Sequence, residues 1–440
     1  MRTILSTIAL FSLCTLWAQE YVPSFGRELP RGEILAYPSA EAASAADGGN
    51  NRYFTRLEEW TLDGNRFSTN FTVPFAWANR QVLLHVGQAS GDYELFINGK
   101  QAAYVADGNS PAEFNITKLT HEGRNSVEIR VMQPSPTAIL ESWKENPAPM
   151  LGRIWIQSQP TMRLRDVLTK TRVGENGFAT AEVALVIKSE ALNPRTSRIH
   201  YRLITPSGED AAAGFKDLTL EMRNEDTVRF LARIPENMLW TPELPTQYTL
   251  QLKTQHEGRY VEFEELRIGF RQIELREGQL LLNGQPANLH IREVPGSLSE
   301  NEIATLREQG YNTLKLLPGP VPESFLNFCD AQGLFVIAQA PIDTRRSGES
   351  RRVGGNPSNN PAWGAAYIER AENSYHTTKR HPSVVAFSLA TRSANGINLY
   401  ESYLNMKRFG DSRPFIYPDA AGEWNTDTLR LEPANPEAGK

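Results

Sequence analysis

The sequence predicts a multidomain chain of 440 residues in which two antiparallel β-sandwiches precede an alternating β/α domain with a parallel sheet. Three observations predict it. Between about 51 and 157, short runs of alternating apolar and polar residues recur, separated by Pro, Gly and Asn. A second set of such runs fills 161–272. From about 274 strands alternate with helices, the pattern of parallel strands joined by right-handed crossovers.

The N-terminus reads as an export signal: Met1 and Arg2, an apolar stretch from Ile4 to Trp17, then Ala18, Gln19 and Glu20. Cleavage is expected after Ala18, giving a signal peptide over 1–18. Lipid attachment at Cys14 is the alternative, against which stands the bulky Leu13. The expected location is outside the cytoplasm of a bacterium: periplasmic, outer-membrane-associated or secreted. No other stretch approaches the roughly 20 apolar residues of a membrane span. Beyond the signal only Cys329 remains, so no intramolecular disulfide is expected. With Phe325 and Phe328 on one helix, Cys329 reads as core. The 46 basic and 51 acidic side chains form no long run of either sign, so neither nucleic acid nor an anionic membrane is implied as a partner. None of the histidines shows metal-ligand spacing and no glycine loop fits a phosphate, so no metal or cofactor is expected.

Residues 21 to about 50, rich in Ala, Gly, Ser and Pro, suggest an irregular lead-in to a first domain over 21–160. Phe67, Thr69, Phe71 and Val73 alternate with polar residues, as do Val82, Leu84 and Val86, then Tyr93, Leu95 and Ile97. Asn98 and Gly99 mark a tight hairpin, because both central positions of such a turn need positive φ. Trp60, Trp77 and Trp143 are either sandwich packing or sugar-stacking surfaces. The second domain, 161–272, carries strands near 180–187, 198–204, 227–234 and 248–254. The third, 273–440, opens with a hairpin around Gly284 and a first parallel strand over 287–291. Helices are predicted over 299–309, 322–332, 362–376 and 399–408, and strands over 312–316, 334–338, 384–388 and 415–417. Thr426 and Asp427 look like the start of a sixth strand, and no seventh or eighth follows.

Motifs in all three domains resemble glycoside hydrolase family 2, the β-galactosidase and β-glucuronidase family. In the first, Phe71 to Pro74, Ile97 to Lys100, Phe114 to Thr117 and Gly123 to Val131 are similar to the family's F-x-V-P, V-N-G-K, F-D-I-T and G-x-N-x-h-x-V-x-V elements, where h is apolar. In the second, Trp240, Pro242, Glu243, Pro245, Tyr248 and Leu250, followed by Gly269, Phe270 and Arg271, resemble W-x-P-E-x-P-x-L-Y-x-L and G-F-R. In the third, His381, Pro382 and Ser383 lead to Phe387, Ser388, Leu389, Ala390, Thr391 and Arg392, where the family reads H-P-S-h-h-h-W-S-L-G-N-E. The resemblance implies a jelly-roll, sugar-binding-like sandwich, an immunoglobulin-like sandwich and an incomplete (β/α) TIM-type barrel. It also implies that Thr391 and Arg392 stand where the family has Asn and its acid/base Glu, and that the strand carrying the nucleophilic Glu is absent.

Retaining glycosidases need two carboxylic groups about 5 Å apart. A guanidinium stays protonated and accepts no proton, so Arg392 replaces neither. Around it, the ends of the first three strands read His290 to Glu293, Lys315 to Pro320 and Ala338 to Arg346, where the resemblance leads one to expect R-G-h-N-x-H, R-T-S-H-Y-P and D-E-x-N-x-E-x-H. No catalytic residue is therefore assigned. The ligand-binding candidates are His290, Arg292, Lys315, Asp343, Arg345 and Arg392, with Arg346 beside them, all expected at strand C-terminal ends, where barrels place ligands. Two readings stay open: the cations hold an anionic partner, such as a uronate or sulfated glycan, or they pair with Asp343, Glu293 and Glu401. Asp343, Glu401, Asp419 and Glu423 are the acids available as substitutes. The expected function is carbohydrate recognition or envelope assembly without hydrolysis. An active β-glycosidase using other residues and a purely structural subunit are the alternatives. A protein partner or second copy is expected against the open side of the barrel, because uncovered strand edges and an apolar interior seek cover.

Overall fold

A computed structural model describes residues 21–46, 51–352, 354–420 and 426–433. The expected export signal and Glu423 lie outside them. The first sandwich packs a four-stranded sheet, ordered Phe54–Arg56, Ile154–Pro160, Arg80–Val86, Ala112–Asn115, against a five-stranded one, ordered Thr61–Asp63, Arg66–Val73, Gly123–Val131, Tyr93–Ile97, Lys100–Val105. Alternation sends Phe67, Phe71, Val73, Leu95, Ile97, Val127 and Ile129 into the shared core. The hairpin at Asn98 and Gly99 has φ of 50° and 76°, the left-handed pair the turn requires. Trp77 is core, its indole N–H donating to the Arg52 carbonyl.

The second sandwich sets Met162–Val173, Phe178–Ser189 and Glu225–Pro235 against Asp210–Leu220, Arg195–Ile204, Tyr248–His256 and Arg259–Ile268. Residues 21–46 form a strap across all three domains. Phe25 pairs with Tyr104 and Tyr37 with Phe263. Arg31 forms an ion pair with Glu113, and Arg27 with Glu369 of the third domain.

The third domain begins with the small antiparallel sheet Ile273–Arg276, Gln279–Leu282, Gln285–Pro286. Its main sheet is parallel: β1 (His290–Val294), β2 (Thr313–Leu316), β3 (Phe335–Gln339), β4 (Val384–Ser388) and β5 (Phe415–Ile416) lie in chain order. The helices α1 (Glu300–Glu308), α2 (Glu323–Gln332), α3 (Gly364–Thr378) and α4 (Ile397–Lys407) alternate with them. Ser299 and Glu302 close α1 with a reciprocal capping box, and Gly333 ends α2 at φ 67°. This is a partial barrel, five βα-type strands with helices on the outer side.

Two expectations need correction. The first strand runs three residues later than 287–291. Ala287 still donates to Leu280 of the preceding hairpin, and Leu289 is buried with Trp240, Ile273 and Phe335 beneath the barrel, so these residues are used before the strand starts. Thr426 and Asp427 start no strand. Asp427 instead clips the edge of β5: its N–H donates to the Phe415 carbonyl at 3.0 Å, and its carboxylate accepts the Phe415 N–H at 2.9 Å and the Tyr403 hydroxyl at 2.9 Å. The chain then crosses to the opposite edge, where β6 (Glu432–Pro433) pairs in parallel with β1. On the way Leu429 and Leu431 pack on the inward-facing Ile291, Ile337, Ala386 and Ile416, so that part of the interior is covered by the chain itself.

Candidate functional site at the mouth of the partial barrel

Strand alternation decides what reaches the mouth. On β1, Val294 packs outward among Leu314, Leu316 and Val336, beneath the helices. Glu293 therefore faces inward, and Arg292 faces out, its guanidinium 5.8 Å from the centre of the Tyr311 ring. His290 opens the strand, at the base rather than the mouth, in a cleft with Asn312, Asn288 and Phe335. The three-residue displacement of β1 thus removes His290 and Arg292 from the expected cluster.

The remaining candidates do converge. Buried Lys315, at the end of β2, donates to Glu293 at 2.8 Å. That bond holds the half-exposed Glu293 carboxyl below its ordinary range, helped by Arg392. Arg392 follows β4 at φ 47°, a left-handed position that costs a side-chain-bearing residue of order 1 kcal/mol. Its N–H donates to the Asp419 carboxylate, and its guanidinium lies 3.8 Å from Glu293. Thr391 is buried, its hydroxyl 3.4 Å from the same Asp419 oxygen. Tyr417, between β5 and Asp419, accepts the Ser393 N–H at 3.1 Å and donates to the Ser393 carbonyl.

Asp343, in the loop after β3, is the link to the first sandwich. Its N–H donates to the Leu140 carbonyl at 2.8 Å and its carbonyl accepts the Ser142 N–H at 2.9 Å. It also bridges to Thr391. Burial raises the Asp343 carboxyl above its ordinary value against the opposing pull of the Arg345 N–H and guanidinium. Arg345 approaches it at 3.5 Å, and the exposed Arg346 lies 3.8 Å from Glu145. Glu401 stands exposed on α4 and joins none of these pairs among the described residues.

Beneath this loop, fully buried Arg370 of α3 meets Glu141 at 2.9 Å and donates to the Pro341 carbonyl and to Thr137 at 2.7 Å each. Glu141 in turn accepts from Asn109 at 2.7 Å. Removing one partner from so buried a pair leaves an uncompensated charge, so the network fixes the first sandwich against the mouth. Sequence reasoning missed this role for Arg370, whose only sequence signal is a cation on the inner face of an amphipathic helix. It also missed Gln339, buried at the end of β3 with its side-chain oxygen unpartnered among the described residues.

Chemically, the mouth is an array of shared ion pairs: Lys315 and Arg392 both face Glu293, Arg345 faces Asp343, and Asp419 accepts the Arg392 backbone N–H. No acid stands at the end of β4.

Three family models match in succession: "Glycosyl hydrolases family 2, sugar binding domain" over 59–148, "Glycosyl hydrolases family 2" over 162–271 and "Glycosyl hydrolases family 2, TIM barrel domain" over 273–432. A β-galactosidase of Photobacterium profundum is 26% identical over 346 residues, covering 74% of this chain and 33% of that protein. One of Psychromonas ingrahamii is 24% identical, covering 91% and 39%. The chain spans about a third of the length of the curated relatives it matches. Among solved structures, a putative β-galactosidase from Bacteroides fragilis superposes with a TM-score of 0.67 at 14% identity, covering 82% of this chain and 57% of that one. A Bacteroides uniformis β-glucuronidase superposes with a TM-score of 0.62 at 18% identity, covering 73% and 40%. These superpositions establish the shared fold. With three consecutive domain matches across the described chain, the protein belongs to glycosyl hydrolase family 2.

Proposed function

We propose that this chain recognises carbohydrate and does not cleave it by the two-carboxylate route. The observation that carries the reading is Arg392. A permanent cation, pinned through its backbone to Asp419, occupies the end of β4. The carboxyls nearby are engaged, Glu293 by Lys315 and Asp343 by Arg345. Losing general acid-base help alone lowers a rate by roughly 10²- to 10⁴-fold. The carbohydrate reading draws on the sugar-binding description of the first family model and on the β-galactosidase names of the relatives. A glycan array probed with the purified chain, with hydrolysis of every hit followed in parallel, tests both halves. Hits without turnover support the reading, and turnover contradicts it.

One observation favours a second reading, an active β-glycosidase using other residues: Asp343 is a carboxyl at the mouth whose proton affinity burial raises. Turnover that Asp343→Asn abolishes and Glu401→Gln leaves intact would select it. Export follows from the reading of residues 1–20, and N-terminal sequencing of protein from the native envelope tests it. Association with an envelope protein or a second copy at the open side of the barrel is proposed on the same footing. Light scattering across micromolar concentrations tests it, with a monomer throughout as the contrary result.

A further inference from the structure

The strand Arg259–Ile268 forms one edge of the second sandwich and turns alternate residues inward. Leu266 and Ile268 join the apolar core. The same face then carries Glu262 and Glu264, 0% and 1% exposed, toward the first sandwich. Phe263, between them, is where the N-terminal strap docks: the Tyr37 N–H donates to its carbonyl at 2.8 Å, and its own N–H donates back to Tyr37 at 3.2 Å. Two acids are therefore buried side by side, next to the contact that joins the strap to the second domain.

Glu262 is supplied with donors by both sandwiches. It accepts from the side-chain amide of Gln159 in the first at 2.7 Å, and from the Leu164 N–H of the second at 3.3 Å. Glu264 is not so supplied: among the described residues no N–H or hydroxyl donates to either of its oxygens, and the group within reach is the Glu262 carboxyl. The neighbouring cations are committed elsewhere. Arg31 of the strap pairs with Glu113 at 2.8 Å and donates to the Arg165 carbonyl. Arg80 of the first sandwich donates to Ser158 and to the Val261 carbonyl, with its guanidinium 3.8 Å from the centre of the Tyr53 ring. On the strand that supplies Leu164, Arg163 pairs with Glu28 and Glu190, Arg165 with Glu225, and Asp166 with Lys379. Across the sheet stand Leu252 and Thr254, both uncharged, and Glu265 on the outer face accepts from Ser44 and Gln251. A buried carboxyl with neither donor nor paired cation keeps its proton instead of a charge. Desolvation and then the charge of Glu262 push the Glu264 carboxyl well above its ordinary range, against the weaker pull of Arg31 and Arg80.

We infer that Glu262 and Glu264 share one proton, and that this proton latches the strap and the first sandwich onto the second, so that its loss at rising pH loosens the contact at Phe263. With the proton in place, Glu264 donates to Glu262, and every buried polar group of the pair is satisfied. Without it, two carboxylates face each other in a dry seam with no cation bound to either. The native state holds this proton above the unfolded value of about 4.3. Stability therefore falls as pH rises past that value, and levels off once the folded pair has also released its proton.

The test is hydrogen exchange of the full chain from about pH 5 to about pH 10, corrected for the intrinsic exchange rate at each pH. Protection of the Tyr37 and Phe263 amides should hold at the acid end. Past the pair's transition it should fall by up to about tenfold per pH unit, the ratio that release of one proton sets. Glu264→Gln and Glu262→Gln each put a permanent N–H where the shared proton lies, so either should keep protection level across the range. If neither variant folds, the native chain alone decides: the infrared band of a protonated carboxylic acid should persist at about pH 7, far above the ordinary glutamic acid value, and disappear over the range in which protection falls. Protection that falls equally in both variants, protection that stays flat in the native chain, or absence of that band at about pH 7 would overturn the latch.

Discussion

The two ends of the partial barrel are built from opposite materials. At the base, Trp240 of the second sandwich is fully buried with Ile273, Leu280, Leu289, Phe335 and Val385, its indole N–H donating to the Asp330 carbonyl at 2.9 Å. Asp330 also accepts from His381 at 2.7 Å and from the Ser383 N–H at 3.0 Å. The mouth is instead held by half-exposed ion pairs around Glu293 and Arg392. Burial makes the base expensive to alter, whereas exposed pairs contribute little to stability. Side chains at the mouth can therefore change at small cost in stability while the architecture persists.

The largest effect should come from the base. Trp240→Ala is expected to cost about 3–5 kcal/mol in denaturant unfolding, and a loss below about 1 kcal/mol would break the contrast. Next comes His381. Burial alone would lower its pKa, but the Asp330 and Glu323 carboxylates raise it to about 9. Because the folded value lies above the unfolded value of about 6.5, its contribution is fully present below that pH and is lost as pH rises through about 9. The loss is on the order of 3 kcal/mol at most. Asp330→Asn should both destabilise the chain and flatten this profile in thermal melts from pH 6 to 10.

Leu429 and Leu431 sharpen the comparison, since they extend the base across the interior. Replacing both by Ser should cost about 1–3 kcal/mol and raise hydrogen exchange in β1 and β5. Unchanged exchange there would show that the segment adds no cover. Smallest is Arg392→Gly at the mouth. Relief at φ 47° and loss of a weak pair oppose each other, so stability should move by less than about 1 kcal/mol.

The same contrast explains what the sequence made legible. Val384–Ser388, an apolar run after His381, Pro382 and Ser383, forms the strand at its expected bounds, because every residue of it is buried. The base motifs around Trp240 and His381 were readable as family resemblance and prove to bolt the second sandwich to the barrel. Where the barrel begins was less legible. Ala287 and Leu289 are apolar enough for a strand, yet tertiary contacts with the hairpin and Trp240 claim them, and His290 and Arg292 were misplaced with them. Asp427 likewise carries no local sign that it serves as a clip. The mouth pairing of Lys315 with Glu293 follows from side-chain alternation once β1 is in register, which sequence alone did not supply.

The most direct test is the hydrolysis of nitrophenyl β-galactoside and β-glucuronide by highly purified chain, followed over many equivalents of substrate. With Arg392 at the end of β4, release of nitrophenol should not exceed the buffer rate. Multiple turnovers that Asp343→Asn or Glu293→Gln abolishes would contradict the account.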